Sequence, residues 1–198
     1  MSRLPPADLA SQPLVTISQD PASLARVSGH KSGEPYFGRH GANRFDDPRL
    51  PESNRFGTCY LGRSVVVAMA ETVLHDEVAV NGEFKVALDE LQRRYVVSFT
   101  GSPLTLADCT GVALKRMDPD GRFSADASYD ETQQWSVAIQ DHPRGVDGFL
   151  YMSRHMNDDC AVVLFNRAKP KLRAARYDPL LSNADAASAI ATLHVVPI

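Results

Sequence analysis

The chain lacks the features that mark membrane proteins and highly charged proteins. It has no apolar run long enough to cross a bilayer, and its N-terminal residues have no apolar run of signal-peptide length. Basic and acidic residues number 21 and 24, for a net charge of −3, so the charge does not favour nucleic acid as the main partner. We predict a cytoplasmic protein that binds neither a membrane nor nucleic acid directly.

The cysteines are few, odd in number and far apart in the chain. Cys59, Cys109 and Cys160 form no CxxC pair. Free thiols in a reducing compartment are the simplest interpretation. Cys59 has no histidine fixed beside it, which favours a buried, inert thiol over a nucleophile.

The common catalytic and nucleotide-binding motifs are also missing. The six histidines are scattered and no HExxH occurs, so no metal site is predicted. There is no GxSxG elbow for a nucleophilic serine. The lack of a P-loop, and of a GxGxxG after a strand, argues against phosphoryl transfer and Rossmann-type NAD binding.

The length of 198 residues predicts one domain with a loose N-terminal extension. Hydrophobic residues make up 43% and charged residues 23%, as in ordinary globular proteins. Residues 1–22 show no helical or strand period, and we predict an N-terminal arm there, followed by a single globular domain over 23–198. Four prolines mark the arm: Pro5, Pro6, Pro13 and Pro21.

The stretch from Arg44 to Glu77 organises our interpretation. A turn region with two prolines leads into FGTCYLG over 56–62, which predicts a short strand containing Tyr60. Ser64 is a suitable helix N-cap, and Glu71 falls at the edge of the apolar face of the helix that follows. There its carboxylate either lines a cleft or is a solvated flank residue. The apolar positions at helical spacing are Val66, Met69, Ala70, Val73 and Leu74.

A second informative stretch covers residues 147–167. FLYMS alternates, with Phe149, Tyr151 and Ser153 on one face, and CAVVLF is nearly all apolar. Together they predict a central β-hairpin. Strands are also predicted near 84–88, 95–99 and 172–177, helices from about 130 and over 185–193, a short helix or turns in 105–118, and a loop over 122–131.

Five residues remain as candidates for chemistry, and each also has an ordinary structural explanation. Arg26 and Arg44 are typical surface ion-pair partners, and Tyr60 is typical of a core aromatic with its hydroxyl at the rim. Ser153 is a small residue in a crowded strand. Glutamate is a good helix former, which alone can explain Glu71.

The order of these motifs resembles the RES domain, a family named for its Arg, Glu and Ser. The resemblance rests on RF, CYLG and AMAETVLHD within residues 44–77, and on WSVAIQDHPRGVDGFLYMSRHMNDDCAVVLFNR over 135–167. It extends from about residue 24 to residue 167. The chain departs from the pattern in reading YLG where YLA is commoner, and in its extra N-terminal residues.

The resemblance implies an α+β fold like that of ADP-ribosyltransferases, with a split central β-sheet flanked by helices and an NAD⁺ cleft. It implies a toxin of a toxin–antitoxin pair that depletes NAD⁺ by hydrolysis or phosphorolysis. NAD⁺ is then the substrate, and no separate cofactor is expected. The implied partner is an antitoxin with a helix-turn-helix, Xre-like, DNA-binding part, and a homodimer stays open.

Two alternatives accompany this interpretation. Some RES proteins transfer ADP-ribose to a protein, and this chain could do the same. The second alternative comes from a different class: a non-catalytic module that binds NAD or a partner. It predicts loss of Arg44 or Glu71, and both residues are present.

The resemblance also assigns roles to the five candidates. Glu71, Arg44 and Ser153 are the implied catalytic residues, and Arg26, Arg44, Tyr60 and Ser153 the implied substrate-binding residues. The arginines suit the pyrophosphate, the tyrosine ring suits nicotinamide, and the serine suits a ribose hydroxyl or the amide. We expect Glu71 to point into the cleft toward Arg44 and Ser153.

Overall fold

A computed structural model describes residues 4–117, 122–125 and 129–198, which combine strands and helices in an α+β arrangement. Within these ranges, none of the helices has the length and apolar character needed to cross a bilayer. The described strands are β1 Thr16–Gln19, β2 Ala25–Ser28, β3 Thr58–Gly62, β4 Phe84–Val86, β5 Tyr95–Gly101, β6 Leu104–Cys109, β7 Gly148–Met152, β8 Cys160–Phe165, β9 Leu172–Pro179 and β10 Val195–Pro197. The described α-helices are α1 Val65–Ala70, α2 Leu88–Gln92, α3 Gly111–Arg116, α4 Arg122–Ala125, α5 Asp130–Asp141 and α6 Ala184–Thr192.

Eight of the described strands form one central sheet in the order β1-β6-β7-β8-β3-β2-β5-β9. Neighbours in this sheet are antiparallel except β6 and β7, which are parallel. Strands β4 and β10 form a separate parallel pair. The hairpin predicted over 147–167 is confirmed, since β7 and β8 pair from Gly148↔Leu164 to Met152↔Cys160.

The central sheet is divided at the junction of β2 and β3. These strands pair at a single point, Ala25↔Gly62, whereas β3 pairs with β8 along its whole length. Gly62 must lack a side chain because a Cβ there would lie 2.6 Å from both Ser64 O and Ala68 N. On the side of this pair away from α1, residues 26–28 of β2 pair with β5 and residues 59–61 of β3 pair with β8, but not with each other. A gap therefore opens between the two halves of the sheet.

The centre of the sheet is apolar on both faces. Phe149 and Val163 lie in a core cluster with Trp135 of α5, while Leu150 and Val162 lie in a second cluster on the other face. Burial on both faces explains why β7 and β8 read as nearly continuous apolar segments. The second cluster also contains residues of β5 and β9, so the two halves of the sheet share a core.

Helix α1 is shorter than the periodicity predicts. It ends at Ala70, and Glu71 is its C-cap residue. The carbonyl of Met69 accepts from the backbone N–H groups of Thr72, Val73 and Leu74, at 3.2, 2.8 and 3.1 Å, and this convergence on one carbonyl ends the regular helical ladder. Val73 and Leu74 remain buried, so the apolar pattern reports burial correctly but not the helix end.

Two further segments differ from expectation. The segment 105–118, predicted as a helix or turns, contains most of strand β6 and then helix α3, because β6 pairs with β1 on one side and with β7 on the other; residue 118 lies outside the described residues. The predicted loop over 122–131 contains α4 and the start of α5, and residues 126–128 lie outside the described residues.

The segment predicted as an N-terminal arm contributes to the sheet. Leu9 is buried in the core cluster around α5, and β1 forms the edge strand beside β6 with Ile17 opposite Leu106. From residue 4 onward the segment therefore packs on the domain. The division into 1–22 and 23–198 stays a prediction.

The close approach of β7 and β8 gives a stability prediction. A Cβ on Gly148 would meet Val163 O and lie 2.8 Å from Leu164 Cα, both of them backbone atoms that cannot rotate away. We expect Gly148→Ala to lower the free energy of unfolding by about 1–3 kcal/mol, the usual cost of overpacking. Urea denaturation followed by circular dichroism measures this change.

Gly29→Ala is the matched control, because its added Cβ would meet only Arg94 Nη1 at an ordinary 3.6 Å. The control is expected to change the midpoint little. Equal midpoints for Gly148→Ala and the native chain would contradict the close packing of this strand pair.

Candidate active site

A cavity of about 360 Å³ opens where β2 and β3 separate. Both halves of the sheet contribute to its wall, with Arg26 from β2 and Tyr60 from β3. Arg44 enters from the loop before β3, and Glu71 from the end of α1. Four of the five predicted site residues therefore share one cavity, and the fifth, Ser153, lies directly behind it.

Ser153 holds the carboxylate of Glu71 from behind. Its Oγ donates to Glu71 Oε1 at 2.5 Å and accepts from the backbone N–H groups of His155 and Met156, at 3.2 and 3.0 Å. Only 1% of Ser153 is exposed, whereas Glu71 is half-buried and faces the cavity. The serine hydroxyl thus fixes the orientation of the carboxylate and does not itself line the cavity wall.

Arg44 presents a largely buried cation to the same cavity. The residue is 8% exposed, and its guanidinium carbon lies 5.0 Å from the centre of the Tyr129 ring, in reach of a cation–π interaction. Burial, followed by the charge of Arg154, lowers the pKa of Arg44, and the Glu71 carboxylate opposes that shift. The fold therefore holds this cation in the same cavity as the carboxylate despite the free-energy cost of removing its charge from water.

Helix α5 fixes the loop that carries Arg44. Thr132 Oγ1 donates to Arg44 O at 2.6 Å, and Ser136 Oγ donates to Phe45 O at 2.7 Å. Gln133 Nε2 donates to Asn43 O at 3.0 Å. Three side chains of α5 thus satisfy the carbonyls of three successive loop residues, so the arginine is presented from a rigid base.

The hydroxyl of Tyr60 is engaged away from the cavity. It donates to Asp46 Oδ1 at 2.9 Å and accepts from Phe45 N at 3.0 Å. Burial, with the nearby charge of Asp46, raises the pKa of Tyr60 well above its ordinary value. Asp46 also accepts from Thr58 Oγ1 at 2.5 Å. The aromatic ring is therefore the part of Tyr60 that is available to a ligand.

Arg26 bridges the gap between the two halves of the sheet. Its Nη1 donates to Tyr60 O at 3.2 Å and to Cys59 Sγ at 3.3 Å, both on the facing strand. Its Nε forms an ion pair with Glu34 at 3.0 Å. The side chain lines the cavity, but much of its hydrogen-bonding capacity is used within the protein.

The thiol of Cys59 matches its predicted inert character. Cys59 is fully buried, and burial raises its pKa to about 11, so little thiolate forms at neutral pH. All three cysteines are free thiols, as predicted.

Comparisons with known proteins identify the family of this chain. A family model described as the RES domain matches residues 23–185. The chain belongs to the RES domain family. It is 35% identical over 105 residues to a Probable toxin y4kH of Sinorhizobium fredii, a match that covers 52% of this chain and 82% of that protein.

The fold of this RES domain also matches a solved structure. The M.tuberculosis MbcT-MbcA toxin-antitoxin complex contains a chain that matches 92% of this one, over 98% of its own length, with a TM-score of 0.65. The sequence identity is 14%, so the match concerns the fold alone. It confirms the predicted α+β class with a central sheet flanked by helices.

The cavity of the RES domain contains residues that sequence reasoning did not select. Tyr129 and Tyr151 supply aromatic walls, and His75 and Arg154 stand at the side of Glu71. Tyr151 shares a strand face with Ser153, which is a signal that could have indicated it. His75 lies in the turn after α1 and Tyr129 is the N-cap residue of α5, and neither belongs to a periodic pattern that would indicate a site.

His155 completes the polar side of the site. Burial, followed by the neighbouring charges of His75, Arg154 and Arg44, lowers the pKa of His155, while Glu71 acts in the opposite direction. A histidine with a lowered pKa is neutral at physiological pH. The side chain can therefore offer a lone pair beside the carboxylate.

The Tyr60 contacts give a prediction about stability. Tyr60→Phe keeps the ring and removes the hydroxyl that joins Asp46 to Phe45 N. Because a buried N–H and a carboxylate oxygen each lose a partner, we expect the free energy of unfolding to fall by about 1–3 kcal/mol.

Thermal and urea unfolding measure the Tyr60→Phe effect. Tyr36→Phe is the control, since Tyr36 is 54% exposed and its change is expected to be nearly neutral. If the two variants unfold alike, the hydroxyl network does not stabilise the Arg44 loop.

Proposed function

We propose that this RES domain cleaves the bond between nicotinamide and ribose in NAD⁺ and acts as the toxin of a toxin–antitoxin pair. The observation that carries the proposal is the Glu71 carboxylate, oriented by Ser153 toward a cavity that it shares with Arg44 and Tyr60. The volume of about 360 Å³ falls within the range of small-molecule sites.

The carboxylate suits the charge that develops in this reaction. When the bond from ribose C1 to the nicotinamide nitrogen breaks, its electron pair neutralises the pyridinium ring, and positive charge appears on the sugar. A fixed carboxylate stabilises such an oxocarbenium-like state. Water or phosphate then forms the new bond to C1 through oxygen and releases its proton, which leaves nicotinamide and an ADP-ribose product.

Arg44 and Arg26 suit the pyrophosphate of the substrate. A guanidinium can donate two parallel hydrogen bonds to phosphate oxygens, and low exposure strengthens such bonds. We assign the larger share to Arg44, because Arg26 already bridges to Tyr60 O and pairs with Glu34. The ring of Tyr60, or that of Tyr151, provides a surface on which nicotinamide can stack.

We assign Ser153 a positioning role. The family resemblance had instead implied that Ser153 contacts the substrate. Its hydroxyl is buried and bonded to Glu71 Oε1. A hydroxyl that fixes the carboxylate before substrate binds reduces the reorganisation needed in the transition state.

An antitoxin is the partner that this function requires. The solved relative is a toxin-antitoxin complex, and the curated relative is described as a probable toxin. We extend this to the present chain and propose a protein antitoxin that covers the cavity and carries the predicted helix-turn-helix part.

Nicotinamide release from NAD⁺, followed by NMR, tests the proposal directly. Reactions with and without phosphate separate phosphorolysis from hydrolysis, and labelled NAD⁺ with protein acceptors detects ADP-ribose transfer. Release without protein labelling supports the proposal, and labelling supports the transferase alternative. Binding of NAD⁺ without release would leave only the non-catalytic module.

Glu71→Gln tests the electrostatic role of the carboxylate. The amide keeps the size and loses the negative charge, so we expect kcat to fall about 10²–10³-fold, as for loss of one strong electrostatic contact. Glu77→Gln, at an exposed position six residues later, is the matched control and should retain activity.

Cell growth provides an independent measurement for the same pair. Expression of the native chain or of Glu77→Gln is expected to arrest growth, and Glu71→Gln is not. Arrest by Glu71→Gln at equal expression would remove the carboxylate from the toxic activity.

Ser153→Ala separates positioning from substrate contact. We expect kcat to fall about 10–100-fold, because a hydrogen bond to a charged group is worth about 1.5–3 kcal/mol. The KM for NAD⁺ should change little, since Ser153 lies behind Glu71.

Ser188→Ala, on the exposed side of α6, controls for the serine-to-alanine change itself. Matching thermal midpoints for Ser153→Ala and the native chain exclude unfolding as the cause. A rise in KM with unchanged kcat would instead place Ser153 in contact with the substrate.

A further inference from the structure

Three side chains with metal-binding atoms converge at the side of the cavity. One donor atom each from Glu71, His75 and His155 can be chosen so that all three lie within 4.8 Å of one another. The two imidazole rings are 4.9 Å apart, centre to centre, and tilted by 49°. All three residues are half-buried, so the cluster is sheltered but open to an ion from solvent.

One hydroxyl group links two of these three residues. Ser153 Oγ donates to Glu71 Oε1 and accepts from the backbone N–H of His155. The carboxylate is therefore held next to the backbone that carries the second histidine. His75 approaches from the turn after α1, four residues beyond Glu71. Tertiary structure thus brings His155 to a pair of donors that the local chain already places together.

The donor set suits Zn²⁺. Two imidazoles and one carboxylate occur as the protein ligands of catalytic zinc, with a fourth position left for water. Zinc–nitrogen bonds of about 2.0–2.1 Å place tetrahedral donors roughly 3.3–3.4 Å apart. The donor atoms of this cluster lie within 4.8 Å of one another, so the distances between them must shorten by roughly an ångström when zinc binds. Rotation of the half-exposed imidazole rings can supply this movement. Magnesium and calcium prefer all-oxygen sets and fit less well.

The ring of His155 already offers a lone pair. Arg154 Nε, which can only donate, lies 3.2 Å from His155 Nε2, so that nitrogen is the acceptor. Arg154 is exposed and free to swing away when an ion takes its place. Arg44 and Arg154 oppose a cation here, whereas Glu71 and the nearby Asp76, 3.9 Å from His75 Nε2, favour it.

We propose that Glu71, His75 and His155 bind one Zn²⁺ ion, and that the bound ion inhibits this RES domain by occupying the carboxylate that the reaction needs. The inhibition rests on the proposed function, and the binding does not. Zinc is here an inhibitor that competes for Glu71, and the cleavage itself proceeds through the carboxylate alone.

Calorimetric titration of the tag-free, full-length chain with Zn²⁺ tests the binding. We expect one equivalent to bind, and Co²⁺ to give the visible absorption of a low-coordinate site. His155→Gln and His75→Gln should each weaken Zn²⁺ binding at least about tenfold, because even outer-shell partners are worth about 10–100-fold. Circular dichroism checks that both variants fold.

His30→Gln is the matched control, because His30 is exposed in the loop after β2. Its Zn²⁺ affinity should equal that of the native chain. The proposal is overturned if no stoichiometric site appears, or if the three histidine variants bind Zn²⁺ alike.

Enzyme assays then test the inhibition. With the protein at a concentration above the dissociation constant for Zn²⁺, one equivalent of Zn²⁺ should suppress nicotinamide release by the native chain, and EDTA should restore it. Inhibition of His155→Gln should need at least about tenfold more Zn²⁺. Stoichiometric binding without any nicotinamide release would refute the proposed function and leave the metal site intact. Normal release that saturating Zn²⁺ does not change would refute the inhibition.

Discussion

The rest of the structure depends on the single point of pairing between β2 and β3, at Ala25 and Gly62. From that point residues 26–28 of β2 and 59–61 of β3 no longer pair with each other, and the tight entry into α1 on the other side leaves no room for a side chain on Gly62. A continuous sheet would leave no room for a ligand between its strands. Arg26 spans the opening by donating to Tyr60 O, and so joins the two halves where their backbones no longer pair. The cavity is thus a consequence of how the sheet is interrupted.

The hydroxyl of Ser153 is the second constraint on the site. It orients Glu71 and at the same time anchors the backbone of His155. The arrangement that orients the carboxylate for the oxocarbenium-like sugar of the proposed reaction therefore also holds it beside two imidazoles. The Glu71 carboxylate stabilises the cationic transition state in the proposed activity and binds the metal ion in the proposed inhibition. The two proposals are therefore linked through one group. Loss of Ser153 would loosen both at once.

Much of the fold was predictable, for reasons that particular elements make clear. The hairpin over 147–167 was predicted because its strands are buried on both faces and are therefore almost entirely apolar. Helix α5 was predicted from its apolar face. The segment that begins at Leu104 was not recognised as a strand, because its β pattern depends on neighbours at β1 and β7. The length of α1 was overestimated, since burial of Val73 and Leu74 continues after the helix ends.

By itself, the sequence determined the family, the fold class that the family implies and the five candidate residues, because the ordered motifs that carry the resemblance are local properties of the chain. Only the tertiary structure decided what those residues contact. It placed Ser153 behind Glu71 and engaged Arg26 in bridging the sheet. It also brought in the histidines of the proposed zinc site. Those positions follow from contacts between distant segments, and hydrogen-bond partners across such distances leave no periodic signal in the sequence.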